Sequence, residues 1–268
     1  MFKGIAFFLS FILAMISPPL ARAGALLMPE GEGQEILTTT FADANDAYDP
    51  QGRLVKTPSY RKFEAQSYVE YGAADWLTVV GEAGAMDFHG SVGQASLAAP
   101  QAPQYEGLGL GEIGARVGVT NIGDYIFSLQ TSIRAASSRN AQTFLDMKDR
   151  WQGDARLQMF HAIEIGGMNG FIDAELGYRT RGQNGDEAHV DLTFGIRPTP
   201  DLMFMAQSFT AISLWHDATN SVAAQKFEVS VVYDLNKTFS VQLGFVDAPM
   251  GANSPAERGI ISALWTRF

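Results

Sequence analysis

The stretch KFEAQSYVEY, Lys62 to Tyr71, changes character at every residue. Phe63, Ala65, Ser67, Val69 and Tyr71 fall on one side, and Lys62, Glu64, Gln66, Tyr68 and Glu70 on the other. Side chains of a β-strand point alternately to opposite faces, so this segment reads as a strand with one apolar and one polar face. The pattern returns along the chain. Ile113, Ala115, Val117 and Val119 oppose Glu112 and Arg116; Tyr125, Phe127, Leu129, Thr131 and Ile133 oppose Ser128, Gln130, Ser132 and Arg134. Ile172, Ala174, Leu176 and Tyr178 oppose Asp173, Glu175 and Arg179, and Phe227, Val229, Val231 and Tyr233 oppose Lys226, Glu228 and Ser230.

Connections alternate too. Short ones, at 72–75, 120–124, 166–170, 198–201 and 235–237, carry the Gly, Pro, Asn or Asp of tight turns. Long polar ones occupy 44–59, 90–107, 135–153, 182–188, 215–224 and 249–257. Five short and six long connections join twelve strands, an even number that leaves both ends on the short-turn side. A soluble sandwich alternates as well, but its polar face meets water and does not require an apolar partner face on every strand. The apolar face here is aromatic near the turns, at Tyr71, Tyr125, Tyr233 and Phe239, as an interfacial girdle is. The expectation is an all-β fold: a twelve-stranded antiparallel transmembrane β-barrel of the bacterial outer membrane, with short periplasmic turns and longer surface loops.

The first 23 residues read as a separate unit. Lys3 supplies a positive start, Gly4 to Ile16 an apolar run, and Ala21-Arg22-Ala23 a small-x-small cleavage site. Residues 1–23 are therefore expected to be a signal peptide and 24–268 the barrel. Losing Lys3 and Arg22 takes the formal charge from −10 to −12, which argues against nucleic acid as a partner. There is no cysteine, so disulfides and thiolate chemistry are excluded. The histidines His89, His161, His189 and His216 have no metal-ligand spacing, and neither a metal nor another cofactor is expected.

Three resemblances follow from particular residues. The ending ALWTRF, with Phe268, Leu264 and Ile260 on one face, resembles the C-terminal assembly signal of outer-membrane barrels, which implies outer-membrane lipid and the assembly machinery as partners, the latter through Phe268. Thr266 and Ser262 depart from it, standing where apolar residues are usual. The hairpin EYGAADWLTVVGEAG, Glu70 to Gly84, looks like the units of outer-membrane transporters of the phenol meta-pathway type. PEGEGQEILTTTF, Pro29 to Phe41, is similar to barrels of surface-polysaccharide gene clusters.

With the polar face inward, Arg134, Arg156, Arg179 and Arg181 fall toward the loop end, and Glu164, Asp173 and Glu175 lower. One reading is a positive entry field above an acidic stretch, a path for a small or linear, anionic or amphipathic solute. The other is that these charges pair across the lumen and fill it. A closed barrel would suit an accessory role in polysaccharide assembly or export. Met203 and Met205 would soften one wall. Asp87, His89 and Ser91 alternate at the loop end of one strand; the His-x-Ser pair resembles outer-membrane phospholipases and lipid A deacylases, which implies Ser91 as nucleophile and His89 as base in an alternative, lipid-hydrolysing function. The Asn-Gly that follows the pair in those enzymes is Val92-Gly93 here.

Overall fold

Alternation and hydrogen bonding agree along the wall. The computed structural model describes residues 24–90, 104–136, 151–181, 185–214 and 221–268. Its strands are β1 (Gly33–Tyr48), β2 (Leu54–Ala74), β3 (Leu77–Gly90), β4 (Gln104–Ile122), β5 (Tyr125–Ala136), β6 (Trp151–Ile165) and β7 (Met168–Thr180). There follow β8 (Glu187–Thr199), β9 (Leu202–Ser213), β10 (Ala223–Asp234), β11 (Phe239–Ala252), the two-residue β12 (Ser254–Pro255) and β13 (Arg258–Arg267). Each strand pairs antiparallel with its neighbours, and β1 pairs with both β2 and β13, closing the ring. β12 only edges the tip of β1, so the barrel has twelve strands. Closure leaves no open edge, which is what a hydrocarbon environment demands of a sheet.

Strands overshoot the membrane on the loop side. β2 has 21 residues, where about 9–11 tilted residues cross the bilayer. The segment expected as a loop at 44–59 is mostly strand, because β1 and β2 stay paired up to Tyr48 and Leu54. Only Asp49–Arg53 turns, with the backbone amides of Gln51 and Arg53 each 2.9 Å from Asp49 Oδ1. The expected loop at 249–257 likewise contains the end of β11 and all of β12. Apolar alternation is needed only where lipid is; a hydrogen-bonded ladder can continue into water without it.

The outer face is apolar between two borders. Tyr71, Trp76, Tyr125, Tyr233 and Phe239 are exposed near the turn side. On the loop side the outward positions become charged, at Asp43, Arg61, Asp87 and Arg258, with Arg258 Nε 3.7 Å from Asp43 Oδ1. The apolar band is uneven. β6, β7 and β8 present Leu157, Leu176 and Leu192, whereas β2 and β3 present Ala65, Ser67, Gly81, Ala83 and Ala85. Beside this thin region Ser67 donates to Glu35 Oε1 at 2.7 Å, and Thr39 and Ser262 share a hydrogen bond of 2.8 Å.

Candidate functional site

Inside the barrel is a cavity of about 330 Å³ whose walls are the polar faces of the strands. Its floor, on the turn side, is apolar. Ala25, Phe160, Phe171, Met203, Met205, Val232, Ala263 and Trp265 pack into one buried cluster there. Phe160 and Phe171 stack at 5.7 Å between centroids. Phe171 lies against Gly195 on β8, where an added Cβ would fall 2.2 Å from its ring, so only glycine leaves room. Met203 and Met205, expected as a soft wall, are part of this floor rather than of an open path.

The chain's own segment Gly24–Met28 completes the floor. Ala25 N–H donates to Asp173 Oδ2 at 2.9 Å, and Met28 N–H to Thr78 Oγ1 at 2.8 Å. Arg116 holds the middle of the segment, Nη1 donating to the Leu26 carbonyl at 2.9 Å. The same guanidinium reaches Glu70 Oε1 at 2.7 Å, the Tyr68 hydroxyl at 3.1 Å and Gln130 Oε1 at 2.8 Å. Arg116 and Glu70 side chains are 1% and 0% exposed, so this is a desolvated ion pair with its hydrogen bonds supplied by the protein. Alternation puts Tyr68, Glu70 and Arg116 on polar faces but does not mark them as a group. They come from β2 and β4, and only the register brings them to one level.

Apart from Glu164, the expected site residues are tied to inward partners, and arginines and carboxylates are interleaved rather than stacked in two tiers. Arg156 lines the cavity and pairs with Asp154 at 2.8 Å, Glu175 at 3.1 Å and Asp191 at 3.3 Å. Arg156 and Glu175, expected at different heights, are thus direct partners. Arg134 lies 3.6 Å from both Glu82 and Glu112. Arg179 pairs with Asp154 at 3.0 Å and Glu187 at 3.4 Å, and Arg181 with Glu187 at 2.6 Å. Asp173 sits at the floor against Ala25, while Glu164 is exposed at the turn end of β6 and does not line the cavity. Seven carboxylates line the cavity (Glu70, Glu82, Glu112, Asp173, Glu175, Asp191, Glu228) against two guanidiniums, Arg116 and Arg156, so its walls are net negative.

On the loop side a second cluster closes over the lumen. Glu257 accepts from Tyr60 at 3.2 Å, lies 2.9 Å from Lys62 Nζ, and also binds Lys226 Nζ. It precedes β13 and stands beyond the charged outer border, outside the spanning segments. Burial pushes its carboxyl up, but the ammonium groups of Lys226 and Lys62 outweigh this and hold it at about 2.

Of the alternative catalytic pair only His89 is among the described residues. His89 is exposed on the outward face, its Nε2 2.9 Å from Asp87 Oδ1; Ser91 lies outside the described residues. Among the described residues, no group of three or more histidine, aspartate or glutamate side chains is placed to hold a metal ion.

This architecture defines a class of fold, the outer-membrane β-barrel. The chain is similar to an outer-membrane channel from Pseudomonas putida F1, with a TM-score of 0.66, 13% identity, and coverage of 93% of this chain and 100% of that one. It is also similar to the translocator domain of the autotransporter NalP from Neisseria meningitidis, at TM-score 0.51 and 10% identity over 98% and 96% of the two chains. The β domain of the Bordetella autotransporter BrkA gives TM-score 0.51 and 10% identity over 88% and 99%. No protein-family profile matches the chain, and no curated protein matches it in sequence.

Proposed function

We propose that the chain is exported on residues 1–23, cut after Ala23, and resides in the outer membrane as a channel for small solutes. The exposed Phe268 is its handle for the assembly machinery. The observation that carries the reading is the 330 Å³ polar cavity, walled by strands and floored by a short, separable segment, Gly24–Met28. The fold it shares with the Pseudomonas channel supports the same reading. Because Arg134, Arg156, Arg179 and Arg181 are all matched by carboxylates, the excess negative charge along the cavity favours a cationic or zwitterionic solute over an anionic one.

Single-channel recording in planar bilayers tests this. The full chain is expected to conduct little, and removal of residues 24–30 to give steady, cation-selective conductance. Silence from both proteins would overturn the channel.

A second reading is favoured by the floor itself. A bore stopped by Gly24–Met28 and the apolar cluster suits a closed barrel with an accessory role in assembling or exporting surface polysaccharide. It predicts that deleting the barrel changes polysaccharide export while the truncated protein still fails to conduct.

A further inference from the structure

Asp173 is a buried carboxylate, 3% exposed, in a crowd of acids. Its neighbours have counter-ions: Glu70 has Arg116 at 2.7 Å, and Glu175 and Asp191 have Arg156 at 3.1 and 3.3 Å. Asp173 has none among the described residues; its hydrogen bond comes from the Ala25 amide. A buried carboxylate without a cation is strongly disfavoured in its charged form. What lies against it is Gly24. A Cβ there would fall 1.8 Å from Asp173 Oδ2, so glycine alone leaves room. Gly24 is also the residue that follows the small-x-small site Ala21-Arg22-Ala23.

We infer that processing after Ala23 creates the missing counter-ion: the α-ammonium of Gly24 pairs with Asp173 and locks the N-terminal segment into the barrel floor. This rests on the proposed export and cleavage. Hydrolysis by a signal peptidase adds water across the Ala23–Gly24 amide, giving Ala23 a carboxylate and Gly24 an amine that takes up a proton. A neutral amide at the acidic floor is thereby replaced by a cation. Other charges facing this point are Glu175 on the same strand, Glu70 on β2 and Arg116 on β4, with Arg156 and Asp191 further along the same cavity. Pairing the ammonium with Asp173 balances the acid at the floor, which no side-chain cation contacts among the described residues.

The test uses the mature protein purified from outer membranes and folded in detergent. Mass spectrometry first identifies its N-terminal residue; a start other than Gly24 removes the cleavage reading, and the ion pair with it. For a chain starting at Gly24, acetylation with an N-hydroxysuccinimide ester is followed against pH. A free α-amine titrates near 7.7–8.0 and reacts before lysines near neutrality. In the folded protein the order is expected to invert, with the Gly24 amine slower than the exposed Lys56. The pH of half-maximal labelling should rise by about one unit or more. Asp173→Asn, which keeps the shape and removes the charge, should return that midpoint to the ordinary value, with retained heat-modifiable migration reporting an intact barrel. Gly24→Ala should do the same by steric displacement. An unshifted midpoint in the wild type, or a raised one that survives Asp173→Asn, would overturn the pair while leaving the cleavage reading standing.

Discussion

The barrel fills its bore by different means on the two sides of the cavity. On the turn side it uses a dry apolar cluster, one fully desolvated ion pair and its own N-terminal segment. Toward the loops it uses a chain of ion pairs, in which Arg134, Arg156 and Arg179 each have more than one carboxylate within reach. The difference teaches where single changes matter. A partner lost from the dry side leaves a charge stranded, whereas one lost from the wet side is replaced by water or by a second partner.

Arg116→Ala should break the comparison most visibly. It strands Glu70 and frees the Leu26 carbonyl, and is expected to cost about 3–5 kcal/mol, read from urea unfolding in detergent micelles. A loss below about 1 kcal/mol would mean that the two sides do not differ.

Glu257→Gln sharpens it, because Glu257 is the carboxylate on the loop side that behaves as if it were on the dry side. With a folded value of about 2 against an ordinary 4.5, its ion pairs contribute in full above pH 4.5 and fade as the pH falls toward 2. The substitution should cost roughly 2–3 kcal/mol at neutral pH and almost nothing at pH 2. A cost that does not change with pH would contradict the pairing with Lys62 and Lys226.

Phe171→Leu probes the apolar cluster alone. It leaves unfilled space over Gly195 and is expected to lower stability by about 1.5 kcal/mol without altering any charge. Arg134→Gln should have the smallest effect, within about 1 kcal/mol, since its side chain is 21% exposed and its two contacts are both 3.6 Å long. Its signature is electrical: a floor-deleted channel carrying it should become more cation-selective.

The wall of this barrel was legible in the sequence because lipid enforces a period of two on every crossing strand, and segments such as Lys62 to Tyr71 obey it. The ladder beyond the membrane was not, since residues such as Asp46 and Lys56 are paired in β1 and β2 under no such pattern. The lumen was legible as a set of inward charges but not as pairs. Arg156 meets Glu175 and Asp191 through the registers of β6, β7 and β8, which parity does not supply. The floor was hidden more deeply. Gly24–Met28 carries no strand pattern, and its place depends on Arg116, Asp173 and Thr78, which are scattered along the chain. The one local hint was a glycine directly after the small-x-small site.

The uneven outer band gives the molecule a front and a back. On the back, Leu157, Leu176 and Leu192 are 47–59% exposed and offer hydrocarbon tails many atoms to touch. On the front, Ala65, Ala83 and Ala85 retract behind them, flanked by the hydroxyls of Ser67 and Thr39 and the carboxylate of Glu35. Dispersion is small per atom pair, about 0.1–0.2 kcal/mol, and accumulates with contact area. Acyl chains therefore grip β6 to β8 more firmly than the middle of β2 and β3, and a barrel that is round in its hydrogen bonding has a heading within the plane of the bilayer.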